Sequence, residues 1–360
     1  MSEKNRLGIY VHIPFCLKKC LYCDFCSFPE GKDKTERYAK ELCRRIETAP
    51  EHSDRIADTL YFGGGTPSLI SPEIITKIVS QFNLSDNCEI TFEMNPDDAK
   101  QDYLSELRTT GVNRISMGSQ TFNDEVLKLI GRRHSAEDTI RAVEAAKEAG
   151  FNNISLDLIY GLPFANIKDD LNIISTLDLQ HISTYGLKIE EGSYFYSHLP
   201  QNLPDDDMQA DMYLEINEFL GQRGYYRYEI SNFAKKGYES KHNLNYWNNE
   251  EYYGFGAAAH GYVDGVRYSN FETLEEYANN PAGFNVEHRV TEQEKLEEEI
   301  FLGFRKEEGI NIQKMSIDFD KKYKYVIDKY LPRYIQKTPC GYKLTLEGVL
   351  LSNNILSEFV

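Results

Sequence analysis

Apolar, β-branched runs and helix-period stretches alternate along the first half of the chain. Residues 7–13 form the first near-continuous apolar run, and 59–62, 88–92, 114–117, 154–159 and 181–187 follow it. Each reads as a strand, because a short apolar run bounded by turn residues marks a strand buried on both faces. Between them lie stretches with helical spacing of apolar residues: 36–48, 72–82, 100–109, 125–130, 136–149 and 167–177. Tyr38, Ala39, Leu42, Cys43 and Ile46 line one face of the first of these, and Gly111 and Gly150 stand where helices stop. Six strand–helix units in series with short connections predict a parallel α/β sheet with helices outside it. An open doubly wound sheet is the structural alternative. The missing Gly-x-Gly-x-x-Gly turn after the first strand counts against a dinucleotide fold.

The rhythm changes after about residue 190. Residues 199–207 are a Pro/Asp-rich connector, 208–221 a helix and 225–233 a strand; an Asn/Tyr/Gly-rich run then leads to Asn270. Helical patterns at 271–279 and from 291 onward, with a strand at 342–346, predict a small α+β appendage. These shifts divide the chain into a core at 1–225, a connecting region at 226–285 and a C-terminal unit at 286–360.

Composition narrows the class. At 360 residues, 41% hydrophobic and 27% charged, the chain is long enough for one large packed domain with an appendage. A net charge of −17 argues against broad nucleic-acid binding, which needs a basic face. No apolar run approaches membrane-spanning length, and the polar start Met-Ser-Glu-Lys-Asn-Arg has no secretory signal core. A cytoplasmic protein with reduced thiols is expected.

The candidate chemistry begins with Cys16-Leu-Lys-Lys-Cys20-Leu-Tyr-Cys23, with Cys26 three residues on. Gaps of three and two place three thiolates on one loop, directly after the first strand, at the end of a parallel barrel where active sites sit. Thiolates select iron–sulfur clusters or zinc. A structural zinc site would want a fourth ligand, yet Cys43, Cys88 and Cys340 are scattered singly. Three ligands and one open iron describe a 4Fe-4S cluster. Further polar residues end later strands: the glycine run Gly63-Gly-Gly-Thr-Pro-Ser68, Glu93 in Phe92-Glu-Met-Asn-Pro96, and Gln120. Arg132 can fork onto a carboxylate, and Asp157 sits inside an apolar strand, where a charge is costly unless paired or facing a ligand.

This cysteine spacing resembles the signature of the radical SAM superfamily. With Tyr10-Val-His-Ile-Pro-Phe-Cys16 before it and Tyr22-Cys23-Asp24-Phe25 inside it, the chain looks like the family of oxygen-independent coproporphyrinogen oxidase and its relative, the heme chaperone HemW. The resemblance implies a partial (β/α)6 TIM-like barrel and a 4Fe-4S cluster on Cys16, Cys20 and Cys23. It implies S-adenosylmethionine (SAM) contacts from Gly64, Gly65, Thr66, Glu93, Gln120, Arg132 and Asp157, with Tyr10 and Tyr22 lining cluster and SAM. Two departures show. Cys26 follows Cys23 after two residues rather than one, which leaves it outside the cluster, and Gly161-Leu-Pro163 continues as Phe-Ala-Asn.

His242-Asn-Leu-Asn-Tyr-Trp247 is similar to the His-Asn-x-x-Tyr-Trp signature of the chaperone branch, with Tyr228-Glu-Ile-Ser-Asn-Phe-Ala234 before it and Tyr253-Gly-Phe-Gly-Ala-Ala-Ala-His260 after it. A turn with core aromatics is the bland reading; the resemblance implies heme with His242 as axial ligand. Arg227, Arg267 and Arg289 are candidate propionate partners. The implied task is to bind heme and pass it to acceptor proteins, membrane-bound respiratory hemoproteins among them, with an electron donor reducing the cluster. The rival is oxidative decarboxylation of coproporphyrinogen III. Against it stand the Cys26 spacing, the His242 motif and the short segment ahead of the first strand.

Overall fold

The computed structural model describes residues 6–29, 32–49, 55–280 and 283–359; the polar start at 1–5 lies outside the described residues. Six parallel strands form its frame: β1 (Arg6–Ile13), β2 (Ile56–Gly64), β3 (Leu84–Met94), β4 (Arg114–Gln120), β5 (Ile154–Tyr160) and β6 (His181–Gly186). They lie side by side in sequence order. Helices Lys32–Thr48, Pro72–Val79, Gln101–Thr109, Ala136–Glu148 and Ile167–Ile174 occupy the crossovers. The first shows why: Tyr38, Ala39, Leu42 and Ile46 are buried at helical spacing in the same core as Leu7, Ile9 and Val11 of β1. The parallel strands are buried along most of their length, because both faces are covered.

The sheet does not stop at six strands. After β7 (Tyr226–Arg227) and β8 (Asn232–Ala234), helix Lys241–Trp247 leads to β9 (Tyr252–Phe255), which pairs parallel to β1 on its free edge. Then β10 (His260–Val263), β11 (Val266–Ser269) and β12 (Val286–Arg289) add antiparallel strands outward. On the other edge β8 pairs antiparallel to β6, and β7 to β8. The result is an open, curved α/β sheet, a partial barrel. The C-terminal appendage is α+β: helix Glu292–Gly303 packs with a small sheet of β13 (Ile310–Asn311), β14 (Ile335–Thr338) and β15 (Gly341–Leu344) around its own core of Ile300, Phe304, Phe319 and Ile335. Among the described residues no helix is long and apolar enough to cross a membrane.

Two expected elements take another form. The strand expected at 225–233 is a hairpin. Its middle turns because Glu229 is buried and its carboxylate accepts the Ser231 backbone N–H, which folds 228–231 back on itself. The irregular run to Asn270 contains a helix and three strands. Its glycines are packing devices: a Cβ on Gly254 would lie 1.9 Å from the His260 carbonyl oxygen. Gly254→Ala must therefore push β10 off β9. It should lower the thermal midpoint at a cost of about 2 kcal/mol or more, whereas Gly221→Ala, with open space around it, should change little. An unchanged midpoint for Gly254→Ala contradicts this packing.

Candidate functional site

Because β1–β6 run parallel, the segments that follow them gather at one end of the sheet. A cavity of about 530 Å³ opens there, bordered by Cys16, Cys20 and Cys23 on one side and by the ends of β2–β5 on the other. The cysteine loop is anchored at both ends. The Cys16 N–H donates to the Phe28 carbonyl and the Phe28 N–H to the Pro14 carbonyl, while the Leu21 N–H donates to Ile130. Gly65 closes against this base. Its N–H donates to the Ile13 carbonyl at 2.8 Å, and a Cβ there would lie 2.5 Å from the Phe15 carbonyl oxygen.

Two sulfurs already receive hydrogen bonds. Thr66 Oγ1 donates to Cys16 Sγ at 3.6 Å, and the Arg132 guanidinium donates to Cys20 Sγ at 3.4 Å. Donors aimed at sulfur favour thiolate and tune a thiolate-bound metal. Burial pushes the pKa of the Cys23 thiol up, and burial likewise raises that of the Tyr22 phenol, whose hydroxyl lies beside Cys20. Burial also works against the Arg132 charge, and Tyr22 and Cys20 beside it more than offset that, so its pKa lies above the ordinary value. Among the described residues no three His, Cys, Asp or Glu side chains stand close enough to share one ion. The donor set is nonetheless one a soft-metal cluster takes: three half-buried thiols facing one cavity, with Arg132 available to offset their charge.

Across the cavity, Gly64, Gly65, Thr66, Glu93, Gln120, Arg132 and Asp157 all contribute to the wall, as does Tyr22. Gln120 is placed by strain: it ends β4 at φ 67°, a conformation uncommon outside glycine, next to a register shift at Gly118. Glu93 accepts from the Tyr61 hydroxyl at 2.6 Å and the Gly64 N–H at 3.3 Å. Burial raises its pKa to about 7, and the nearby Asp157 adds to that. Asp157 itself is raised by burial and relieved by Ser183, Arg114 and Ser116. Two residues were missed in the sequence. Asn95 bridges the site, donating to Thr66 Oγ1 at 3.1 Å and accepting from Arg132 at 2.7 Å; its i+2 relation to Glu93 on β3 was the available signal. Arg114 is a fully buried guanidinium whose charge eases the ionisation of Glu93 and Asp157.

The structure places several expected residues elsewhere. Tyr10 does not border the cluster cavity. It lies on the face of β1 that looks toward helix Lys241–Trp247, and its hydroxyl meets His12 Nδ1 at 2.8 Å in a second, adjoining cavity. His242 does not present an open nitrogen. Nδ1 meets Thr59 Oγ1 at 2.7 Å, Nε2 meets the Tyr246 hydroxyl at 2.8 Å, and the ring stacks on Tyr61. It is 1% exposed, and burial lowers its pKa to about 3. An axial-ligand role does not fit a histidine engaged at both nitrogens. Arg267 borders this second cavity, whereas Arg227 pairs with Glu307 and Arg289 donates to the Asp264 carbonyl. Cys26 borders the second cavity rather than the first.

A cysteine loop at the C-terminal end of a six-strand parallel partial barrel defines a radical SAM protein, and the family model described as the radical SAM superfamily matches residues 10–177. The heme chaperone HemW of Bacillus subtilis is 38% identical, with 98% of this chain and 98% of that protein covered. The heme chaperone HemW of Lactococcus lactis is 37% identical, covering 98% and 96%, and that of Escherichia coli 38% identical, covering 73% and 72%. The chain belongs to the HemW family of the radical SAM superfamily. Membership of that superfamily brings a 4Fe-4S cluster and SAM. The structure of coproporphyrinogen III oxidase (HemN) from Escherichia coli is similar at a TM-score of 0.87 and 24% identity, covering 99% of this chain and 90% of that one. It shares the fold.

The raised Glu93 pKa has a consequence for stability. With an ordinary value of 4.5 and a folded value of about 7, the folded state keeps a proton that the unfolded state loses in that window. Stability therefore falls as pH rises between those values and levels off above them. Compared with Glu93→Gln, which cannot titrate, the wild type should lose about 2 kcal/mol across the window, less than the full linkage because the carboxyl borders a cavity. Denaturant unfolding of both proteins over that pH range measures it; a constant difference contradicts the placement of Glu93.

Proposed function

We propose that this protein is a radical SAM heme chaperone of the cytoplasm. Cys16, Cys20 and Cys23 hold the 4Fe-4S cluster. Gly64, Gly65, Thr66, Glu93, Gln120, Arg132 and Asp157, with Tyr22, would hold SAM in the cavity beside the cysteines. Heme is bound and passed to acceptor hemoproteins, including membrane-bound respiratory ones, and an electron donor reduces the cluster. The observation that carries this reading is the 38% identity to a HemW heme chaperone across 98% of both chains. The decarboxylase reading has a likeness of fold alone behind it.

The chain's own residues supply positioning and electrostatics. Ionised, Glu93 accepts hydrogen bonds from an ammonium group, which removes the penalty of its burial. Arg132, already hydrogen-bonded to Cys20 Sγ, offsets thiolate charge. Gly65 packs on the Phe15 backbone where any side chain would strike it, which keeps the glycine run on the cavity wall. When bound and reduced, the cluster supplies the electron for reductive cleavage of SAM.

Cys20→Ala removes one of three thiolates. Anaerobically purified wild-type protein should be brown, with iron and sulfide in near-equal amounts; the variant should lose both. A colourless wild-type protein carrying zinc contradicts the proposal. A second consequence concerns SAM. Its affinity should rise with pH from about 6 to about 7.5 as Glu93 ionises, and Glu93→Gln should flatten that rise. Isothermal titration at the two pH values reads it, and an unflattened rise removes Glu93 from the SAM site.

A further inference from the structure

The cavity that adjoins the cluster site is the larger of the two, about 1080 Å³, beyond the usual span of a small-molecule pocket, roughly 300–1,000 Å³. Its walls are aromatic: Tyr10, Tyr61, Tyr246, Tyr252, Phe25 and Phe28 all border it. Flat faces of this kind suit a planar macrocycle. It meets the cluster cavity along Phe25, Gly64 and Glu93, which border both.

Three histidines border this cavity, and two of them have no nitrogen to offer. His242 is engaged by Thr59 and Tyr246, as described above. His12 meets the Tyr10 hydroxyl through Nδ1 at 2.8 Å and the Cys26 carbonyl through Nε2 at 3.2 Å. His260 differs. It is the first residue of β10, its side chain is exposed on the cavity wall, and its imidazole makes no hydrogen bond with any described residue. Its backbone is nevertheless fixed. His260 pairs with Ser269 on β11, and its carbonyl packs on Gly254, where no side chain fits. The turn that delivers it carries Ala258 at φ 61°, a left-handed conformation that alanine adopts only under constraint, tied by its N–H to the Phe271 carbonyl at 2.9 Å. A free imidazole on a rigid strand end, facing an aromatic cavity, is the donor a heme iron takes.

We propose that His260, and not His242, is the protein's ligand to the heme iron, with the macrocycle lying in the aromatic cavity beside the cluster loop. This rests on the reading of the protein as a heme binder and adds the site and the ligand to it. His242 then serves as a positioning residue: its hydrogen bonds to Thr59 and Tyr246 fix the Tyr246 ring on the cavity wall. Arg267 borders the same cavity while paired to Glu298 at 2.7 Å. Cys26 borders it too, its thiol pKa raised by burial and by Glu272.

The test is a hemin titration of the full-length, cluster-loaded protein under anaerobic conditions, followed by the Soret and visible bands and by electron paramagnetic resonance. His260→Ala should weaken hemin binding at least about tenfold and lose the nitrogen-ligated spectrum, with added imidazole restoring it and iron–sulfur content unchanged. An identical spectrum and affinity in His260→Ala overturns the assignment. So does loss of the ligation signature in Cys26→Ser with His260 intact. If the wild type itself takes up no hemin, the heme reading fails, a result distinct from failure of the ligand assignment.

Discussion

One backbone contact sets the geometry on which everything else depends. Gly65, at the end of β2, lies against the Phe15 backbone at the end of β1, and its N–H is tied to Ile13. The parallel register of the two strands brings the glycine run level with the start of the cysteine loop. No side chain fits between them. The thiols and the ligand-facing backbone therefore share one cavity, and Thr66, the next residue, reaches Cys16 Sγ.

A second constraint is electrostatic. Glu93 and Asp157 are carboxyl groups drawn out of water on parallel strands, and each resists ionisation there. Arg114 beneath them and Arg132 beside the cysteines are the fixed cations that moderate this. Such an arrangement stores a cost that a cationic ligand group relieves. Asn95 links the two halves of the wall through Thr66 and Arg132, so the cysteine side and the β3 side of the cavity form one hydrogen-bonded network.

Much of this was legible in the sequence. The six strands are buried on both faces and so appear as apolar runs. The cysteine spacing names its chemistry by ligand count. Glu93, Gln120 and Asp157 stand out as polar residues where strands should be apolar. What was not legible depends on partners far along the chain. The resemblance implied Tyr10 at the cluster, but strand alternation turns it toward helix Lys241–Trp247. His242 looked like an open ligand until Thr59, distant in sequence, proved to hold its ring. His260 carried no signal beyond the glycine- and alanine-rich run before it, because its exposure follows from β9 joining the sheet beside β1, a long-range pairing that local pattern does not encode.

The central claim is that the two adjoining cavities hold a cluster with SAM and a heme, and that the tetrapyrrole is carried rather than converted. The most direct measurement loads the reconstituted protein with SAM and reductant under anaerobic conditions and offers it hemin or coproporphyrinogen III in parallel. The account predicts saturable uptake of one heme per chain and no decarboxylated product. Formation of protoporphyrinogen IX, with hemin bound weakly or not at all, would contradict it.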